Sequence, residues 1–77
     1  MPYVAVEHLE GAFTLEQQQQ LMREITNAFV KVGGEGIRPN VTVVIREIAD
    51  GRWAIGGEAL TMDEVRRVRE ERARSGS

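Results

Sequence analysis

Between Thr14 and Gly34 apolar side chains return at helical spacing: Leu15, Leu21, Met22, Ile25, Ala28, Phe29 and Val32. This period predicts one apolar stripe along an α-helix, with Gln17 to Gln20, Arg23, Glu24 and Lys31 on the opposite face. The four consecutive glutamines are helix surface, because the periodic pattern runs on around them. Thr14 has an N-cap side chain, and Gln17, three residues on, completes a capping box. Gly33-Gly34 marks the end of the element.

On either side the pattern shortens to that of strands. Residues 3–9, Tyr-Val-Ala-Val-Glu-His-Leu, are rich in β-branched and aromatic types and are broken by Glu10-Gly11. After a loop to Pro39, the run Val41 to Arg46 is the strongest strand in the chain. Val41, Val43 and Ile45 share one pleat face and are expected to pack on the helix; Thr42, Val44 and Arg46 share the other. Strand, helix and strand make a βαβ unit, with two parallel strands and a right-handed crossover helix. One helix covers one face of such a sheet. The simplest cover for the second face is a partner subunit.

Further on, Asp50-Gly51 marks a turn, Arg52 to Ile55 a short extended piece and Gly56-Gly57 another turn. Thr61-Met62-Asp63-Glu64 has the spacing of a second capping box, opening a C-terminal helix. In that helix Arg66, Arg67, Arg69, Arg72 and Arg74 are interleaved with Glu64, Glu70 and Glu71, the pattern of a solvated surface laced with ion pairs. The predicted fold is α/β and a single domain over residues 1–77. It has a βαβ core over 2–47 and a C-terminal extended segment and helix over 52–74.

Composition narrows the ways such a chain can be stabilised. At 77 residues it buries a low fraction of its surface. It has no cysteine, so disulfides and thiol catalysis are excluded together. His8 is its one histidine, which leaves no zinc-ligand cluster and no metal site to expect. Oligomerisation is the remaining source of burial. A net charge of −2 does not favour capture of nucleic acid or an anionic membrane. No apolar run approaches the roughly 20 residues that span a bilayer, and the N-terminus lacks the pattern of a signal peptide. The expected compartment is the cytoplasm.

The residue with distinctive chemistry is Pro2. A structural reading has it simply begin a strand where no backbone donor is needed. A chemical reading starts from the small second residue, which permits removal of Met1 and leaves a secondary amine held rigidly by the ring. Apolar neighbours disfavour its ammonium form and make it a base near neutral pH.

Five pieces of sequence bear on that choice. They are Pro2 at a strand start, Leu9-Glu10-Gly11 before the helix, Thr14 to Gln17 at the cap, Val43 to Glu47, and Trp53-Ala54-Ile55-Gly56-Gly57-Glu58 after a tight turn. In this order and spacing the chain resembles the 4-oxalocrotonate tautomerase family over residues 2–58. The resemblance implies a βαβ subunit in a tautomerase-type homo-oligomer, usually a hexamer built from dimers, with sites at subunit junctions. It implies that Pro2 moves a proton between oxygen and carbon of a 2-hydroxy-dienoate or other small 2-oxo acid, without metal or organic cofactor. Cations near the proline would bind the substrate carboxylates and stabilise charge on oxygen. Leu9, Asn40 and Ile55 fall at pocket-lining positions, and Trp53 takes the place of the aromatic wall.

The departures are as informative. Ala12 and Thr42 stand where well-studied members carry arginines. Arg46, on the same pleat face as Thr42, and Arg52, beside Trp53, are candidate replacements; ion pairing with Glu47 and Asp50 is an equal reading. His8 is expected at the surface or at a site mouth. No carboxylate lies within Ala54 to Gly57, and Glu58 is the nearest acid, so water addition is not expected. With Ala12 uncharged, a monocarboxylate enol is expected to serve at least as well as a dicarboxylate. Two alternatives stay open: iminium or enamine catalysis at the same proline, and a partly catalytic or non-catalytic subunit of a hetero-oligomer.

Overall fold

The computed structural model of the chain describes residues 1–75. Helix α1 spans Leu15–Gly33 with Thr14 as its N-cap. The capping box is formed in both directions: Gln17 donates its backbone N–H to the Thr14 hydroxyl at 3.1 Å, and Thr14 donates its own to the Gln17 side chain at 2.9 Å. Two of the orphan donors of the first turn are satisfied in this way. At the other end Gly34 donates to the Val30 carbonyl at 2.7 Å and the chain leaves the helix.

Strands β1 (Tyr3–Leu9) and β2 (Thr42–Ile48) are neighbours in a two-stranded sheet. Thr42 donates its N–H to the Pro2 carbonyl at one end, and Glu10 donates to the Ile48 carbonyl at the other. Start meets start and end meets end, so the pair is parallel, as a helical crossover requires.

Burial alternates along both strands. Val4, Val6, Val43 and Ile45 are half-buried and His8 is buried, whereas Tyr3, Ala5, Glu7, Thr42, Val44 and Arg46 are exposed. On α1, Leu21, Met22, Ile25 and Phe29 are half-buried and Val30 is buried. The ends of the predicted stripe differ from expectation: Leu15 is 68% and Val32 91% exposed, and Ala28 is exposed as well. Val30, in the last turn, is buried, and Val32 two residues on stands about 200° around the helix from it, so it faces away.

The expected loop before Pro39 is instead a 3-10 helix, Glu35–Asn40. Arg38 holds it, bonding Glu35 at 2.6 Å and the Asn27 side chain at 2.9 Å. That hydrogen bond from Arg38 keeps the Glu35 carboxyl below its ordinary range. Ile37 folds back over Gly33, where a Cβ would stand only 2.7 Å from its Cδ1. Residues Met1–His8 and Phe13–Arg46 form one compact unit; Leu9–Ala12 and the chain from Glu47 onwards form a second.

In the second unit, β3 (Ala54–Ile55) pairs antiparallel with β4 (Glu58–Ala59), Ala54 opposite Ala59 and Ile55 opposite Glu58. Gly56 and Gly57 both have positive φ, 60° and 84°, which a two-residue hairpin turn of this kind demands. The extended piece read from the sequence thus gains a partner strand that the reading left out. Helix α2 spans Met62–Ser75. Thr61 accepts the Glu64 N–H at 3.3 Å as its spacing predicts, and Asp50 accepts the Met62 N–H at 3.1 Å from the preceding turn. Arg66–Asp63 and Arg67–Glu71 are ion pairs along its surface.

Leu9, Val30 and Met62 are the buried apolar side chains among the described residues. This is a small core. No helix among the described residues is long and apolar enough to cross a membrane.

Candidate active site

Pro2 precedes the first residue of β1 and is half-buried. Carrying the strand's alternation back one residue places it on the pleat face of Val4 and Val6, the apolar face. Its carbonyl is held by the Thr42 N–H at 3.0 Å. Its nitrogen is joined to Met1, which is 94% exposed. Asn40 closes the 3-10 helix two positions before Thr42, so the start of β2 brings Asn40 and Thr42 to the Pro2 end of the sheet. Thr42 is uncharged, and no guanidinium reaches Pro2 from that position.

Arg46 stands four residues further along β2, about 13 Å at the rise of a strand. Its guanidinium lies 3.9 Å from the Glu7 carboxylate on the exposed sheet face. Within its own chain it therefore sits towards the far end of the sheet from Pro2. His8 is buried rather than at the surface, its ring 5.0 Å from that of Phe13 in an edge-on arrangement.

In the second unit, Leu9 to Ala12 forms a tight turn closed by the Ala12 N–H on the Leu9 carbonyl at 3.0 Å. Gly11 has φ +90°, the left-handed value that the third residue of a type II turn must adopt. Leu9 is buried and Ala12 half-buried. Beside this turn stands the N-terminal part of α2. A Cβ built on Gly11 would meet Arg66 Nη2 at 3.7 Å and Met62 Cγ at 3.8 Å. Met62 and Arg66 are one helical turn apart and so share a face. The guanidinium of Arg66 thus lies in van der Waals reach of the Gly11 position. The sequence places Arg66 on a solvated helix surface and carries no signal that ties α2 to Gly11.

Trp53 is half-buried and extends the hairpin, its carbonyl accepting the Leu60 N–H at 2.7 Å. Ile55, at the hairpin tip, is 66% exposed. Arg52 is exposed, its N–H bonded to the Ala49 carbonyl in the turn before Trp53. Among the described residues no group of three or more His, Cys, Asp or Glu side chains is placed to hold a metal ion.

Comparison with known proteins bears on these features together. The family described as tautomerase enzyme matches residues 2–62. A protein of Dickeya dadantii named Probable tautomerase K2 is 34% identical over 61 residues, covering 79% of this chain and 90% of its own length. Among solved structures, TomN, a 4-oxalocrotonate tautomerase homologue in the tomaymycin biosynthetic pathway, superposes with a TM-score of 0.72 at 25% identity. The match covers 83% of this chain and 95% of that one. A structure from work on the 4-oxalocrotonate tautomerase isozymes of Methylibium petroleiphilum gives 0.67 at 29% identity, covering 75% and 90%. The family match ends at Met62, the first residue of α2.

Proposed function

The chain belongs to the tautomerase family, among the relatives of 4-oxalocrotonate tautomerase, and from that premise we propose that it isomerises an enol acid with the Pro2 amine as base and then acid. The substrate class is a 2-hydroxy-dienoate or another 2-oxo acid in its enol form. Once Met1 is removed, the neutral amine takes the proton of the enol hydroxyl. The O–H electron pair becomes the carbonyl π bond and the conjugated π electrons move along the chain. The far carbon then takes a proton from the Pro2 ammonium. Proton and amine both return to balance, and no cofactor enters any step.

The observation that carries this reading is the setting of Pro2. It lies at the open start of a strand, half-buried on an apolar pleat face, with only an exposed methionine before it. Apolar surroundings favour the neutral amine. The site is proposed to be completed between copies of the chain in a homo-oligomer, expected to be a hexamer, because the second sheet face is open and leaves Tyr3 and Val44 exposed on it. Leu9, Asn40, Trp53 and Ile55 are proposed to line the pocket.

Substitution of Pro2 by Ala tests the reading. It turns the secondary amine into a primary one, and tautomerase turnover is expected to fall at least about a hundredfold, a typical general-base contribution. Secondary structure and assembly are expected to survive. Unchanged turnover places the base elsewhere and overturns the proposal.

A further inference from the structure

Helix α2 begins where the family match ends, and it carries a groove that lies wholly within the second compact unit. Leu60, Val65 and Val68, all half-buried, form its apolar floor, with Glu64 towards one end and Arg72 towards the other. At about 100° per residue, Glu64, Val65, Val68 and Arg72 fall within an arc of about 100° and so share one face of the helix. Arg66 and Arg67 are paired within the chain, with Asp63 and Glu71. Among the described residues the Glu64 carboxylate and the Arg72 guanidinium have no ion-pair partner. From Glu64 to Arg72 the helix rises about 12 Å, beyond the one-turn spacing at which a helix pairs its own charges. Val68 stands midway between them.

We propose that this groove is filled by α2 of a second copy of the chain, lying antiparallel across it with Val68 at the two-fold axis. Charge complementarity selects that occupant. With Val68 at the axis, Glu64 of each copy stands level with Arg72 of the other, so one contact answers both unpaired charges twice. The same patch then serves both copies, as a two-fold contact requires. Parallel packing sets Arg72 beside Arg72 and Glu64 beside Glu64, like charges that repel. The floor of Leu60, Val65 and Val68 leaves water, and the apolar stem of each Arg72 lies along it. This contact is made by a helix outside the stretch that matches the family. It is additional to the open sheet face and independent of the Pro2 reading.

The chain has no cysteine, so a single thiol placed on the axis reports on this contact. Val68→Cys, treated with diamide at micromolar concentration, is expected to run as a disulfide-linked dimer on a non-reducing denaturing gel, since facing residues at a two-fold axis come within disulfide reach. Glu70→Cys, about 160° around the helix from Val68, is expected to stay unlinked. Adding Arg72→Glu to Val68→Cys is expected to lower the linked fraction about tenfold, because the axis turns two attractive pairs into repulsive ones at once. Adding Glu64→Arg as well restores the link. The same charge changes in the cysteine-free chain are followed by sedimentation. There Arg72→Glu is expected to raise the association midpoint about tenfold, and Glu64→Arg with Arg72→Glu to bring it back. No link at Val68→Cys, equal linking at Glu70→Cys, indifference to Arg72→Glu, or no restoration by Glu64→Arg overturns the proposal and leaves the groove to another occupant. Pro2→Ala is expected to leave the link in place, so the contact and the proposed base are tested separately.

Discussion

Thr42 donates its backbone N–H to the carbonyl of Pro2 at 3.0 Å. The ring that carries the proposed base is thus anchored by the first residue of the second strand, through main chain rather than side chain. The amine is left at the free end of the strand, joined only to Met1. It is an amide nitrogen, and no base, for as long as Met1 remains.

It follows that activity depends on the state of the N-terminus. Intact-mass measurement of active protein is expected to show loss of Met1. A chain carrying an irremovable extension before Pro2 is expected to fold and assemble yet lose at least about a hundredfold in turnover. An active extended chain contradicts the amine mechanism.

The open sheet face predicts assembly. Tyr3 is 66% and Val44 38% exposed, and Leu9, Val30 and Met62 are a slight core for a chain of 77 residues. Sedimentation is expected to show a multimer of at least three chains, with six the expected number. Val44→Glu places a charge in the centre of that face and is expected to shift the distribution to smaller species. A compact native monomer at micromolar concentration rules out both the assembly and a shared site.

Arg46 and Glu7 form an exposed pair at 3.9 Å. Arg46→Ala is therefore expected to change unfolding free energy by no more than about 1 kcal/mol. Its effect on kcat/KM is expected to be smaller than that of Pro2→Ala, and Arg52→Ala is expected to behave likewise. Steady-state kinetics on the three variants ranks them, and a loss at Arg46 or Arg52 as large as at Pro2 would identify that residue as the cation that replaces those missing at Ala12 and Thr42.

The capping box at α1 gives a stability prediction independent of function. Thr14→Ala removes the acceptor of the Gln17 N–H and is expected to cost about 1 kcal/mol of stability in urea denaturation. Where unfolding is coupled to subunit dissociation, the comparison is made at equal protein concentration.

Much of the fold was legible because it is local. The helical period from Leu15, the Thr14–Gln17 box, the strand over residues 3–9 and the parallel pairing forced by a crossover helix all follow from hydrogen bonds and side-chain spacings within short windows. The candidate base was legible too, since it depends on the identity of one residue and its place at the start of a strand. Periodicity misjudged Leu15 and Val32 and missed the burial of Val30, because it sets an apolar stripe without showing which side of it the neighbouring elements cover. It also read residues 35–40 as loop, because the bond from Arg38 to Asn27 joins segments that spacing does not connect.

Taken by itself, then, the sequence determined the two long strands, both α-helices, their order and the parallel crossover, and it singled out Pro2 as the proposed base. Tertiary structure alone decided the partner strand at Glu58–Ala59, the burial of His8 against Phe13 and the approach of Arg66 to Gly11. Each of these depends on which backbone comes within a few ångströms of which side chain. Periodicity records which face of an element is apolar; it carries no information about what that face will meet.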